Sequence, residues 1–147
     1  MTTTIGGFVL ADPHQSGSFL ISEAKFWRSR DAVILAQGQS LGFGTVLGQI
    51  GSTGRYVASS KTATDGSQNA TCILWEDTDA TAGDVKVGVV ARECEVFAGS
   101  LSYDLSVVTS ADQQAKWAQL ALQGIIVREF DDPQARAANQ LDMTLGW

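Results

Sequence analysis

The sequence predicts a mainly β fold: a compact, β-rich α+β domain of short strands, with one main helix near the C-terminus and an extended N-terminal arm. Composition is the first reason. The chain has 15 glycines but only 2 prolines, which favours short strands and tight turns over a helical bundle. The second reason is the stretch 41–75, where the turn residues 51–54 (GSTG) separate two β-branched or aromatic runs, a pattern typical of a β-hairpin.

The length of 147 residues suffices for one hydrophobic core, and no linker divides the middle of the chain. We therefore expect an N-terminal arm at 1–18, a β domain at 19–129 and a C-terminal extension at 130–147. The arm has a single apolar island, Phe8-Val9-Leu10. Its composition suits a mobile tail, as most termini are, or an arm that a partner holds.

Two strands are expected before the hairpin. The first begins at Phe19-Leu20-Ile21, and the second covers 32–36 (AVILA) and closes at Gly38. The segment between them carries the aromatic pair Phe26 and Trp27 and a charged run. These patterns place two short strands ahead of the central hairpin.

A third strand of the central unit follows the hairpin. Residues 64–67 (TDGS) have turn chemistry, because Asp and Gly tolerate the backbone angles of a tight reversal. The short apolar run 72–75 (CILW) comes after them. Sequence pattern thus predicts strand, turn and strand in succession across this region.

The stretch 85–97 predicts a long strand in two parts. Val90, Cys94 and Val96 share one parity, whereas the glutamates between them share the other, as expected of a half-buried strand. Arg92 has the parity of the buried set. It is either a charge at a strand end or a buried residue that needs a carboxylate partner.

One helix is predicted over 110–123. Ser110 with Gln113 fits a capping box, and Gly124 fits a C-terminal cap. The closing strand is expected at 125–127 (IIV). The stripe that would pack on the sheet consists of Trp117, Leu120 and Ala121.

The C-terminal extension carries two weaker patterns. Asp132-Pro133 reads as an N-cap and first-turn proline, so that 134–140 forms a short second helix. The last apolar residues alternate with polar or small ones, which suits a strand laid on a surface but is also common in disordered tails. These residues are Leu141, Met143, Leu145 and Trp147.

Charge and hydropathy argue against two classes of partner. The net charge is −6 and Lys and Arg form no cluster, so nucleic acid is not expected as a partner. No apolar run approaches the roughly 20 residues of a membrane span, and no signal-peptide pattern begins the chain. We expect a soluble protein that is not secreted.

Cys72 and Cys94 are interpreted as packed free thiols, with a bridge between them as the alternative.

The sequence offers no constellation for chemistry. The single histidine, His14, lies in the arm, so no nucleophile-base pair is available to a hydrolase. The glycines of 42–48 are spaced GxGxxxG and precede a strand rather than a helix, so they suit turns and close strand approach, not phosphate. The acidic loop 76–84 lacks EF-hand spacing. We predict no catalytic residue, no cofactor and no metal site.

Several phrases, taken together, resemble the bacteriophage head decoration proteins of the lambda type. The resemblance runs in register over about 19–129, and the arm and the extension have no matching motif. Its phrases are RSRD at 28–31, GTVLGQI at 44–50, GRYV at 54–57, DGS at 65–67, IL at 73–74, VAR at 90–92 and GIIVR at 124–128.

The resemblance implies a structural protein of the virion that is made in the host cytoplasm. It implies homotrimers on the outer surface of an expanded capsid, at three-fold positions, which bridge major capsid proteins and hold the shell against the pressure of packaged DNA. The arm would then add a strand to an edge of the coat protein. The residues expected at that capsid contact are Ile5, Phe8, Val9 and Leu10.

A different class of function, a β-sandwich carrier or small-ligand-binding module, is the alternative. The hairpin suggests it, but a carrier needs a modified lysine at a turn tip. Lys61 lacks the flanking acidic and apolar residues expected there. An enzyme has no supporting residue pair.

Overall fold

The computed structural model describes residues 3–5, 8–10 and 16–129 of the chain. Short strands dominate and a single α-helix lies near the C-terminal end of this part, which confirms the predicted mainly β class. The elements are β1 (Thr3–Ile5), β2 (Phe8–Leu10), β3 (Leu20–Glu23), β4 (Arg30–Leu35), β5 (Ser40–Leu41), β6 (Val46–Gln49), β7 (Tyr56–Ala58), β8 (Ala70–Leu74), β9 (Thr78–Asp79), β10 (Val85–Val90), β11 (Cys94–Phe97), α1 (Ser110–Ala121) and β12 (Ile125–Arg128). The patterns at 134–140 and 141–147 lie outside the described residues.

Five strands close into a barrel in the order β10–β4–β7–β6–β8. The predicted hairpin is confirmed, since β6 and β7 pair antiparallel with Leu47 opposite Ala58. The strand predicted after it is also confirmed as β8, which pairs with β6 on the other side. Apolar residues from alternate positions fill the interior, and they include Leu35, Leu47, Cys72, Leu74, Val87 and Val89.

A second core lies between the barrel, a three-stranded sheet and the helix. The sheet has the order β12–β11–β3, with β11 parallel to β12 and antiparallel to β3. Helix α1 packs against β12 and β8. The buried residues of this core include Phe19, Val46, Ile73, Val96, Leu120 and Ile125.

The stretch 85–97 connects the two sheets. The chain leaves the barrel at the end of β10 and enters the second sheet at β11, and Glu93 at the crossing adopts a left-handed φ of +49°. Val90, Cys94 and Val96 are all buried, as their parity predicts. Arg92 lies just after the end of β10, and its side chain is 42% exposed, so it is a charge at a strand end rather than a buried residue, although it does pair with the Asp31 carboxylate.

The glycines of 42–48 permit close backbone approach. A Cβ atom on Gly48 would lie 2.1 Å from the carbonyl oxygen of Ser67, and one on Gly44, at φ +82°, 2.4 Å from that of Ser100. Neither contact is sterically possible. The interpretation of these glycines as sites of close strand approach is confirmed.

The N-cap of the helix lies one residue before the predicted one. Thr109 is the N-cap: its hydroxyl accepts the Asp112 amide at 3.1 Å, and the Asp112 carboxylate accepts the Thr109 amide at 3.3 Å. The predicted capping box of Ser110 and Gln113 is therefore wrong by one position, because Thr and Asp compete with Ser and Gln for the same roles. Gly124, at φ +81°, follows the last turn as predicted.

The buried face of the helix is formed by Lys116 and Leu120. Of the predicted stripe, Leu120 is buried, Trp117 is half-buried and Ala121 is exposed. The Trp117 indole donates a hydrogen bond to the Tyr103 hydroxyl at 2.6 Å. The helix is rotated so that a lysine, rather than Ala121, faces the core.

Lys116 connects the helix to the segment between β7 and β8. Its ammonium group donates to the carbonyl oxygen of Gln68 at 2.6 Å, to the Ser59 hydroxyl at 3.0 Å and to the Ser60 carbonyl oxygen at 3.1 Å. All three ammonium hydrogens thus have acceptors, which offsets the cost of burying the charge.

Cys72 and Cys94 are both buried and free. Burial raises the pKa of each thiol to about 12. The interpretation of these cysteines as packed thiols is confirmed. No helix within the described ranges is long and apolar enough to cross a membrane.

Truncation of Leu120 tests the packing of the helix. We expect Leu120→Ala to lower the free energy of unfolding by about 2–5 kcal/mol, because it opens a cavity in a fully buried position. Leu122→Ala is the control, since Leu122 is 84% exposed and should change stability by no more than about 0.5 kcal/mol. Urea denaturation of both variants measures the difference, and equal losses would show that the helix packs through another face.

Acid stability tests the helix start. The Lys61 side chain, followed by the Thr109 amide, lowers the pKa of Asp112 from 3.8 to about 2. The unfolded chain therefore binds the proton first, and this carboxylate's contribution to stability is lost as the pH falls from about 4 to about 2. We expect Asp112→Asn to reduce the acid-dependent fall in melting temperature over that range. Glu129→Gln, which removes no ion pair of the described part, should keep the wild-type profile.

Candidate functional site

The four predicted contact residues fall in one hairpin. Strands β1 and β2 pair antiparallel, with Thr3 opposite Leu10, Thr4 opposite Val9 and Ile5 opposite Phe8. The sequence analysis did not predict this pairing. Gly6 and Gly7 stand between the strands in the sequence, and a Gly-Gly dipeptide between β-forming runs is a hairpin signal that could have revealed it.

The arm hairpin, defined as β1 and β2, forms a sheet of only two strands within the described structure. Each strand of such a sheet has an outer edge of backbone N–H and C=O groups that can pair with a further strand. A lone two-stranded hairpin is also marginally stable in water. The arm hairpin is therefore suited to pairing with a strand from a partner.

Gly17 fixes the point at which the arm leaves the domain. Its amide donates to the Trp75 carbonyl oxygen at 3.1 Å, and its φ is +76°. A Cβ atom at this position would lie 2.3 Å from the Trp75 indole ring. Only glycine fits this contact, so the arm starts at a defined place beside Trp75.

A groove adjoins this exit. We name it the tryptophan groove, a cavity of about 480 Å³ that Trp27, Arg30, Trp75, Gly88 and Val89 line together with Asp31 and Ala32. The Arg30 guanidinium lies 3.6 Å from the centroid of the Trp75 ring and 5.9 Å from that of Trp27. The groove thus offers aromatic and apolar surface around a positive charge.

Arg30 is held in place by Glu23. Its Nε and Nη2 atoms donate to the two carboxylate oxygens of Glu23 at 2.9 and 2.8 Å. This bidentate geometry fixes the plane of the guanidinium group. The contact joins β3 of the second sheet to β4 of the barrel and keeps the groove rigid.

Phe26 and Trp27 form an exposed pair at the tip of the β3–β4 turn. They are 89% and 77% exposed, and Phe26 has a left-handed φ of +64°. Such a conformation is unusual for a bulky residue. Buried Ser29 holds the turn below them, because its hydroxyl accepts the Ala24 amide and donates to the Glu93 carbonyl oxygen, both at 2.9 Å. A fixed turn that displays two aromatic side chains is typical of a binding surface.

The charged side chains of Asp84 and Lys61, which could otherwise serve as binding or catalytic groups, are paired with neighbouring residues. The carboxylate of Asp84 pairs with Arg55 and accepts the Gln37 amide at 2.8 Å, which lowers its pKa. Lys61 contacts Asp112 at 2.8 Å. No three His, Cys, Asp or Glu side chains of residues 16–129 are clustered as metal ligands. His14 lies outside the described residues. The site therefore offers backbone edges and apolar surface for binding.

The sequence analysis placed the four arm residues in the site but assigned no role to Phe26, Trp27 or Trp75. The structure brings Ile5 and Phe8 together as cross-strand partners. It separately brings Trp27 and Trp75 together around Arg30. Two adjacent aromatic residues in a charged turn are a signal that could have drawn attention to Phe26 and Trp27. No local pattern pairs Trp27 with Trp75, which is 48 residues away.

Conservative substitution tests the rigidity of the groove. We expect Arg30→Lys to lower the free energy of unfolding by about 1–2 kcal/mol, because an ammonium group loses both the bidentate contact and the ring stacking. Arg28→Lys is the matched control, since Arg28 pairs with Glu93 but its side chain is 70% exposed, so a change below about 0.5 kcal/mol is expected. Chemical denaturation measures both, and equal effects would contradict a special role for Arg30.

Comparison with known proteins identifies the family. The model of the family described as bacteriophage lambda head decoration protein D matches residues 9–125, from within β2 to the first residue of β12. The match thus covers the barrel, the second sheet up to β12, the helix and part of the arm hairpin. A search of curated proteins finds no significant match. Because the family model covers most of the chain, this protein belongs to the bacteriophage lambda head decoration protein D family, the phage capsid decoration proteins.

Proposed function

We propose that the protein is a structural cement protein of a phage head. In this proposal it binds the outer surface of the expanded capsid as homotrimers at three-fold positions and stabilises the shell against internal DNA pressure. The family match supports the decoration role. The observation that carries the finer mechanism is the arm hairpin, whose strands pair only with each other in the described sheets.

The proposed contact is strand addition. An outer edge of the arm hairpin pairs with a strand edge of the major capsid protein, and main-chain hydrogen bonds supply affinity. Apolar side chains of the arm fill pockets on the shell. The candidates are the predicted contact residues Ile5, Phe8, Val9 and Leu10.

Trimerisation would multiply a weak contact. Three arms that engage at once must all release before a trimer dissociates, which raises the overall affinity by about 10²–10⁴ over that of one arm. The joint between Gly17 and Trp75 supports this mechanism, because arms that leave each body at a fixed point pay less entropy on binding.

The net charge of −6 agrees with a position outside the shell, away from the packaged DNA. We propose a structural rather than a catalytic role, and the carrier alternative finds no support. The barrel is closed rather than a sandwich, and the Lys61 ammonium group contacts Asp112 instead of standing free at a turn tip.

Deletion of the arm tests this function. We expect removal of residues 1–10 to leave the melting temperature nearly unchanged, because β1 and β2 pair with each other rather than with the barrel. Binding to expanded, DNA-free heads should weaken at least about tenfold, equivalent to about 1.4 kcal/mol. Co-sedimentation of protein with purified heads, over a range of concentrations, measures the affinity.

Deletion of residues 138–147 is the control, since it removes the same number of residues from the other end of the chain and should retain wild-type binding. An arm-deleted protein that decorates heads with wild-type affinity would move the capsid contact to the body or to the C-terminal extension. A full-length protein that never co-sediments with heads would overturn the decoration function itself.

A further inference from the structure

The turn that displays Phe26 and Trp27 is also basic. Lys25 and Arg28 flank the aromatic pair, and we name these four residues the aromatic knuckle. Lys25 is exposed and makes no ion pair within the described structure, whereas Arg28 pairs with Glu93 at an exposed site. The knuckle thus presents two exposed aromatic rings and an unpaired positive charge.

A cavity of opposite character lies elsewhere on the domain. It has a volume of about 660 Å³ and is lined by Gly42, Phe43, Asp77 and 99–102. A cavity of this size accommodates a drug-sized group, and hence an indole or a phenyl ring. We name it the acidic cavity.

Negative charge is concentrated at one side of the acidic cavity. Asp77 lines the cavity and accepts the Phe43 amide at 2.8 Å, and exposed Glu76 and Asp79 lie within two residues of it in the sequence. Six ion pairs join side chains of the described residues, and none of them includes these three carboxylates. The knuckle and the region of the cavity are therefore opposite in charge.

The two surfaces lie at opposite ends of β11. Glu93, the partner of Arg28, directly precedes the strand, and 99–102 follow it closely. The four residues of β11 span about 13 Å. One copy therefore cannot insert its own knuckle into its own cavity without refolding.

A closed ring of identical chains requires two different surfaces on each chain that fit one another. In a heterologous contact, one surface of each copy meets a different surface of the next, and the ring closes when the rotation allows it. A two-fold contact of knuckle with knuckle would instead bring like charges together. We propose that the aromatic knuckle of one copy inserts into the acidic cavity of the next, and that this contact closes the trimer. The inference rests on the trimeric decoration function proposed above.

Aromatic and charged residues contribute to the proposed contact in different ways. Exposed aromatic side chains that become buried in a pocket supply most of the affinity of typical interfaces. The charges around them fix register and disfavour the reversed contact. The Ser29 hydrogen bonds hold the backbone of the turn that carries Phe26 and Trp27, so little ordering of the turn is needed on association.

Sedimentation equilibrium of variants tests the interface. Trp27→Ala removes one ring of the knuckle. A Glu76→Lys, Asp79→Lys double variant inverts the charge beside the cavity and keeps the Asp77 carboxylate, which accepts the Phe43 amide at 2.8 Å. We expect each to raise the dissociation constant of the trimer at least about tenfold. Lys86→Glu is the control, because Lys86 is another exposed lysine without an ion pair in the described part but lies outside both surfaces.

Mixing the variants tests the heterologous geometry. The Trp27→Ala chain keeps an intact cavity, and the double variant keeps an intact knuckle, so one productive contact remains between them. We expect the mixture to form a 1:1 complex that neither variant forms alone. Absence of this complex would overturn the inference.

Other results separate this inference from the decoration function. Variants that remain trimeric would place the trimer contact elsewhere. If such a trimeric variant no longer binds heads, the knuckle contacts the capsid protein instead of a second copy of this chain. A wild-type protein that stays monomeric at every concentration would also overturn the interface. If Trp27→Ala fails to fold, the double variant, whose two positions are exposed, decides the question.

Discussion

The contact between Arg30 and Trp75 is the joint on which the rest of the structure depends. The guanidinium group covers the Trp75 ring at 3.6 Å, while its two donors hold Glu23 of the second sheet. The same indole packs edge to face with Phe19 and leaves room for no side chain at Gly17. The barrel, the second sheet and the start of the arm thus meet at one aromatic ring. The Trp75 ring, packed between Arg30 and Phe19, therefore sets where the arm begins.

Local patterns revealed most of the elements but not how they assemble. Turn residues at 51–54 and the alternation around Cys94 and Val96 identified the hairpin and the buried strand, because the signals lie within a few residues. Closure of the barrel depends on pairing between β10 and β4, and between β6 and β8, which no local pattern encodes. The cap of the helix was misplaced because neighbouring Thr109 and Ser110 are both good N-caps.

Lys116 shows why the facing of the helix could not be predicted. A lysine is almost never fully buried, so its presence on a helix suggests the solvent side. Here three acceptors from the chain around β7 and β8 surround the ammonium group, and they become neighbours only after the barrel has formed. The tertiary environment therefore overrides the pattern that placed Ala121 inward. For the same reason the tryptophan groove could not be predicted from the sequence, because its residues lie far apart along the chain.

The distribution of free strand edges explains why the arm suits attachment. A closed barrel has no unpaired edge, so its strands cannot accept a strand from a partner. The second sheet has edges at β3 and β12, but each of these strands carries a charged side chain at its end, Glu23 and Arg128. Charged edges discourage strand addition. Among the described strands, the arm hairpin thus combines open edges with apolar residues, while the barrel provides the rigid body from which it extends.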